Sequence, residues 1–146
     1  MYLRKDLKII ANMISEKSRV LDIGCGDGEL LYYLGKFKKV DGRGIEISKD
    51  GINKCFKSGL SVVQGDIVAG LDYPKKSFDF VILSQTIQTI SSPTTALTEM
   101  LRVGKMAIVS FPNFGHWLVR LSFLSRGSMP MTKSLPYKWY LSLIHI

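Results

Sequence analysis

The chain has 146 residues, 46% of them hydrophobic and 22% charged, which suits one globular domain and neither a disordered nor a membrane-embedded one. Its net charge is +8, from 20 lysines and arginines against 12 acids. No stretch approaches transmembrane length, the start M-Y-L-R-K-D-L-K has no signal-peptide core, and Cys25 and Cys55 lack disulfide or metal-ligand spacing, so a cytoplasmic, reduced setting with no membrane partner and no metal is expected.

Residues 3–15 place Leu7, Ile10 and Ile14 at three- and four-residue intervals, which predicts an amphipathic helix packed on a sheet. Val20 to Ile23 is a short apolar run of the kind a buried parallel strand shows, and it stops at glycines 24, 26 and 28. Glu29 opens a helix with Leu30, Leu31 and Leu34 on one side. G-R-G-I-E-I is a second strand ending at Glu46 and Ile47, after which Ser48 is the N-cap of a helix with Ile52 and Phe56 on one face and Gly59 past its end. L-S-V-V-Q is a third strand, ending at Gly65 and Asp66. Phe78 to Leu83 is a fourth, apolar on both faces. Ser92 and Pro93 start a helix whose stripe is read as Leu97, Met100, Leu101 and Val103; Gly104 stops it, and Lys105 to Phe111 is a fifth strand. One more helix is expected from His116 to Leu124. Strand and helix alternate five times, which predicts a mostly parallel α/β sheet with right-handed crossovers.

The basic residues form no run longer than two, so the excess charge marks no nucleic-acid stripe, and no nucleic-acid partner is expected. Glu99 is the lone acid after Asp79, against six lysines and arginines in that part of the chain. That half either meets an acidic partner or simply forms a solvated basic surface.

Ligands of such sheets lie beyond the carboxyl ends of the strands, so those ends carry the functional reading. The first ends in G-C-G-D-G, where Gly24, Cys25 and Gly26 give a bare backbone bend before a helix N-terminus. A dinucleotide loop is spaced G-x-G-x-x-G; here the third glycine comes one position early, and Asp22, Asp27 and Glu29 surround the bend. Three carboxylates repel a pyrophosphate. They suit S-adenosylmethionine, whose sulfonium and ammonium outweigh its one carboxylate. The alternative is a tight βα turn with no ligand.

Glu46 ends the second strand 22 residues after Gly24, near the separation of about 20 at which an acid takes ribose hydroxyls. Asp66 ends the third and either accepts from the adenine amine, with Ile47 and Ile67 as apolar walls, or caps a turn. Ser84 and Gln85 end the fourth, where backbone carbonyls would hold the ammonium. Asn113 and His116 are further candidates near an acceptor, although His116 reads equally as a packed residue; no catalytic residue is assigned. Cys25 is read as a small loop residue whose place by a helix N-terminus lowers its pKa.

Acids at the loop and at strands two and three resemble the pattern of class I S-adenosylmethionine-dependent methyltransferases over residues 18–111. More closely, V-L-D-I-G-C-G-D-G-E-L, F-D-F-V-I-L-S-Q-T-I-Q, and F-P-N-F-G-H-W followed by L-P-Y-K-W-Y resemble the methionine biosynthesis protein MetW family over residues 4–140. The resemblance implies a Rossmann-like class I methyltransferase fold with strand order 3-2-1-4-5, S-adenosylmethionine binding at Asp22, Gly24, Gly26, Glu46 and Asp66, and work alongside homoserine O-acyltransferase. It leaves open whether the domain transfers a methyl group or binds and activates the acyltransferase. Residues 1–146 are expected to form one domain. The ending L-S-L-I-H-I departs from the family, so 141–146 is expected to be a non-native tail on a truncated chain, its fifth strand left with an unpaired edge.

Overall fold

Five short strands flanked by helices assemble because the apolar strands at the centre of the sheet must bury both faces, and helices on the crossovers cover them. The computed structural model describes residues 3–111, 113, 115 and 117–126. These fall into two compact units, one up to Ser110 and one from Phe111 on. The first holds α1 (Lys5–Met13), β1 (Arg19–Ile23), α2 (Glu29–Lys38), β2 (Asp41–Glu46), α3 (Lys49–Lys57), β3 (Ser61–Gln64), β4 (Phe78–Ser84), α4 (Pro93–Val103) and β5 (Gly104–Ser110). In the second, the described residues include α5 (Trp117–Arg126).

The sheet order is β3-β2-β1-β4-β5 with parallel pairing throughout, as the alternation predicts. Ile23 lies opposite Ile45 on one side and Leu83 on the other, so β1, β2 and β4 end at one level. Strand order reverses at β1, which places the bend after Ile23 at the switch point where ligands of open sheets bind.

Side chains alternate across the sheet. Val20, Phe80 and Ile82 pack under α1 and α2, against Leu7, Ile10, Leu30 and Leu34. Leu21, Ile23, Val81 and Leu83 face the other way, against Ala96, Met100 and Val103 of α4. Two predicted faces turn by one residue. In α3 the buried partner of Ile52 is Cys55, while Phe56 is 59% exposed. In α4, Ala96 takes the inner position, and Leu97 and Leu101 lie outward. Positions 96, 100 and 103 keep the four- and three-residue spacing of one helix face, and the small Ala96 lets α4 come close to the sheet.

Two 3-10 turns, Ile67–Ala69 and Ile87–Thr89, follow β3 and β4. The segment after the first is fastened to α4. Glu99 accepts from the Leu71 N–H at 2.9 Å, and Arg102 donates to the carbonyls of Leu71 and Tyr73.

Candidate functional site at the carboxyl ends of the strands

The bend begins where the Ile45 carbonyl accepts from the N–H groups of both Gly24 and Cys25, at 2.8 and 3.2 Å, which pulls the chain off β1 toward β2. Gly24, Gly26 and Gly28 all hold left-handed φ, between +58° and +80°, a region that side chains with a Cβ rarely adopt. Their surroundings differ. A Cβ on Gly24 would stand 2.7 Å from Thr86 Oγ1, because Thr86 folds over the bend and donates to the Ser84 carbonyl at 2.9 Å. A Cβ on Gly26 would meet nothing within 4 Å among the described residues. Gly26 is therefore the exposed rim of the bend.

Glu46 leans onto that rim. Its Oε2 accepts from the Gly26 N–H at 2.7 Å, and its Oε1 accepts from Ile47 and Ser48 N–H, each at 2.9 Å. One carboxylate thus joins the end of β2, the glycine bend and the start of α3. A Cβ on Gly51 would lie 2.7 Å from the Gly26 carbonyl, so α3 closes on the bend only because this position is glycine.

Asp22 lies behind the bend, 3% exposed, with Oδ1 lacking a hydrogen-bond partner among the described residues. Burial, and then the negative charge of Glu46, push its carboxyl up to about 7. Cys25 packs beside it. Burial first, with the charge of Asp22 adding, drives the Cys25 thiol upward, the reverse of the lowering expected from a helix N-terminus. Cys55 sits nearby, its Sγ donating to the Gly26 carbonyl at 3.4 Å, and its thiol is also raised, chiefly by burial. Neither is a ready nucleophile.

The remaining candidates are placed unevenly. Asp66 is exposed and its Oδ1 accepts from the Val68 N–H at 2.9 Å, which caps the 3-10 turn after β3. Ile67 is 3% exposed and belongs to the core, whereas Ile47 is 63% exposed, so open apolar surface on this side comes from Ile47. Ser84 Oγ lies 3.2 Å from Ser110 Oγ. Asn113 Oδ1 accepts from the Gly115 N–H, and His116 lies outside the described residues. Sequence reasoning missed Thr86, Gly51 and a bridge from Asp6 of α1 to Gln85 beyond β4, whose Nε2 donates to Asp6 Oδ2 at 2.8 Å. Thr86 alone left a local signal, a hydroxyl two residues past a strand end.

S-adenosylmethionine is the cofactor this geometry has to be tested against. The fit is chemical: an open backbone rim at Gly26, a carboxylate at Glu46 for a diol, an unpartnered buried carboxylate oxygen at Asp22, and an exposed apolar side chain at Ile47. Phosphates meet charge of their own sign there.

Known proteins agree with this reading of the fold. The family model for methionine biosynthesis protein MetW matches residues 4–146. The bifunctional methionine biosynthesis protein MetXA/MetW of Rhodopirellula baltica is 34% identical over 88% of this chain, which covers 22% of that protein. A fatty-acid O-methyltransferase of Mycolicibacterium smegmatis is 37% identical over 60% of the chain and 34% of its own length. The chain thus spans well under half of these curated relatives. Among solved structures, a SAM-dependent methyltransferase of Thermotoga maritima superposes with a TM-score of 0.67 at 28% identity, covering 80% of this chain and 55% of that one. One from Aquifex aeolicus gives 0.59 at 28% identity, over 70% and 62%. With the family model matching nearly end to end and the sheet order of a class I methyltransferase beneath it, the chain belongs to the MetW family of methionine biosynthesis proteins.

Proposed function

We propose that the chain binds S-adenosylmethionine at its glycine bend and serves methionine biosynthesis as a methyltransferase-like protein working with homoserine O-acyltransferase. The observation that carries the donor reading is Glu46 lying on the rim at Gly26, a carboxylate at the end of β2 beside a backbone with open space above it.

When bound, the donor supplies a methyl group on an electrophilic sulfonium. The residues of this chain bind and orient it. Glu46 has about four lone-pair sites and spends three on backbone N–H groups, so ribose hydroxyls take the fourth and share those facing the rim. Gly26 offers bare backbone to the methionyl end, Gly24 and Cys25 set the bend that presents it, and Asp22 supplies negative charge behind it. Ile47 lies against the adenine, with the second Asp66 oxygen on its amine, while Ile67 stays in the core beneath the turn that Asp66 caps. The Ser84 carbonyl faces the ammonium. In-line methyl transfer needs alignment and exclusion of water more than a dedicated base.

Calorimetry with S-adenosylmethionine tests this. Glu46→Gln and Glu46→Ala are expected to weaken binding by at least about tenfold, the cost of one charge-assisted contact. The glutamine variant keeps one acceptor oxygen and so separates binding from damage to the bend; unchanged affinity in both variants overturns the assignment.

A second reading, an activating subunit that keeps the donor fold, is favoured by the relative in which MetXA and MetW share one chain. Co-purification with homoserine O-acyltransferase, and acyltransferase rates with and without this protein, distinguish the two. A rate that rises without consumption of S-adenosylmethionine supports activation.

A further inference from the structure

The acids around the bend account for the positive charges of a donor but leave its carboxylate without a counterion. The first turn of α1 brings a cation to the same end of the sheet. Arg4, at the N-cap of α1, forms a two-pronged pair with Asp6: Nε donates to Oδ1 at 3.1 Å and Nη2 to Oδ2 at 2.7 Å. Asp6 Oδ2 also accepts from Gln85 Nε2. Gln85 is fixed in turn, its N–H donating to the Ser110 carbonyl at 2.8 Å, with left-handed φ of +50°. A residue other than glycine held in that region is strained, and such strain persists where surrounding contacts over-determine it, often at functional sites.

The Arg4–Asp6 pair is a poor stabiliser. Its side chains are 55% and 30% exposed, and exposed ion pairs contribute little. Arg4 also feels the negative charges of Glu29 and Asp27, after the larger effects of Asp6 and of burial, which places it on the side of the glycine bend. A planar fork on an exposed side chain, already bonded to a carboxylate, exchanges readily for a carboxylate of a ligand.

We infer that Arg4 receives the α-carboxylate of an amino-acid group at the mouth of the site, in exchange for part of its pairing with Asp6, while the Asp6–Gln85 bridge holds the first turn of α1 over the end of β4. This rests on the donor reading of the bend and adds to it a reader of the amino-acid end. The α-carboxylate belongs either to the methionyl end of the donor or to a second, amino-acid ligand beside it.

The test is calorimetry on the full chain, wild type and Arg4→Ala, with S-adenosylmethionine, with 5′-methylthioadenosine, which lacks the amino-acid group, and with L-methionine in the presence and absence of S-adenosylhomocysteine. Arg4→Ala is expected to lose about tenfold or more toward S-adenosylmethionine and to leave methylthioadenosine within about twofold. Lost L-methionine binding with unchanged S-adenosylmethionine binding assigns the carboxylate to the second ligand. Equal losses toward both nucleosides, or no loss toward either amino-acid-bearing ligand, overturn the inference. A wild-type chain that binds neither nucleoside overturns the donor reading instead, and Arg4 is then judged on L-methionine alone. Thermal unfolding controls for folding, and Arg4→Lys, which keeps the charge without the fork, is expected to fall between the two.

Discussion

Asp22 carries an energetic burden in the folded chain. Its carboxyl is buried, one oxygen has no partner among the described residues, and burial with the Glu46 charge raises it from 3.8 to about 7. Between those two values the folded chain holds a proton that the unfolded chain has released, so this group's contribution to stability falls as pH rises from about 4 to about 7 and stays low above that. Asp22→Asn removes the cost. Thermal melts at pH 4 and pH 8 are expected to show little change at the lower pH and a raised midpoint at the higher one. The same variant is expected to bind S-adenosylmethionine at least about tenfold more weakly, since a neutral amide gives up the attraction for a cation. A variant that is more stable but binds less is the signature of a functional rather than a structural acid. Gly26→Ala makes the complementary case: its φ of +58° sets a cost of about 1 kcal/mol in stability, while the new Cβ occupies the open space above the rim and blocks the ligand. Denaturant titration and calorimetry on that one variant separate the two effects.

At the scale of elements, the strands and the bend were legible because their signals are local. Short apolar runs and glycines needing left-handed φ lie within a few residues of what they specify, and Glu46, 20 residues from the Gly26 N–H it accepts, was found by its spacing from the bend. Helix faces were harder, since an apolar residue stood at adjacent positions. Reading Leu97 into the α4 stripe favours size, while packing against the sheet favours the small Ala96. Met100→Ala is accordingly expected to cost about 2–5 kcal/mol and Leu101→Ala under about 0.5, as equilibrium unfolding would measure. The bridge from α1 to β4 was illegible for a different reason. Asp6 and Gln85 are 79 residues apart, and nothing in either sequence neighbourhood names the other; only the sheet order brings them together. Cys55 was likewise read as isolated, although α3 carries it against the bend.

Across the whole molecule, the parallel sheet sets where charge accumulates. Acids from β1, the bend and β2 meet at one end, while no helix among the described residues is long and apolar enough to cross a membrane. Elsewhere, Glu99 ties α4 to the segment after β3; hydrogen bonds from Arg102 and from the Leu71 N–H hold it down at about 2 against an ordinary 4.5. Here the sign is opposite to that of Asp22. The contribution is complete above about pH 4.5 and is lost as pH falls toward 2, so Glu99→Gln is expected to flatten the acid side of a stability-against-pH curve and leave its alkaline side, which belongs to Asp22, in place. The MetW family match and the methyltransferase sheet agree on the architecture, and the chemistry of the bend decides what it holds. The direct measurement is calorimetric titration of the wild-type chain with S-adenosylmethionine and, separately, with NAD. Saturable binding of the first, weakened at least about tenfold by Glu46→Gln, with no heat from the second, is the expected result; NAD binding as tightly, or S-adenosylmethionine affinity indifferent to Glu46, contradicts the account.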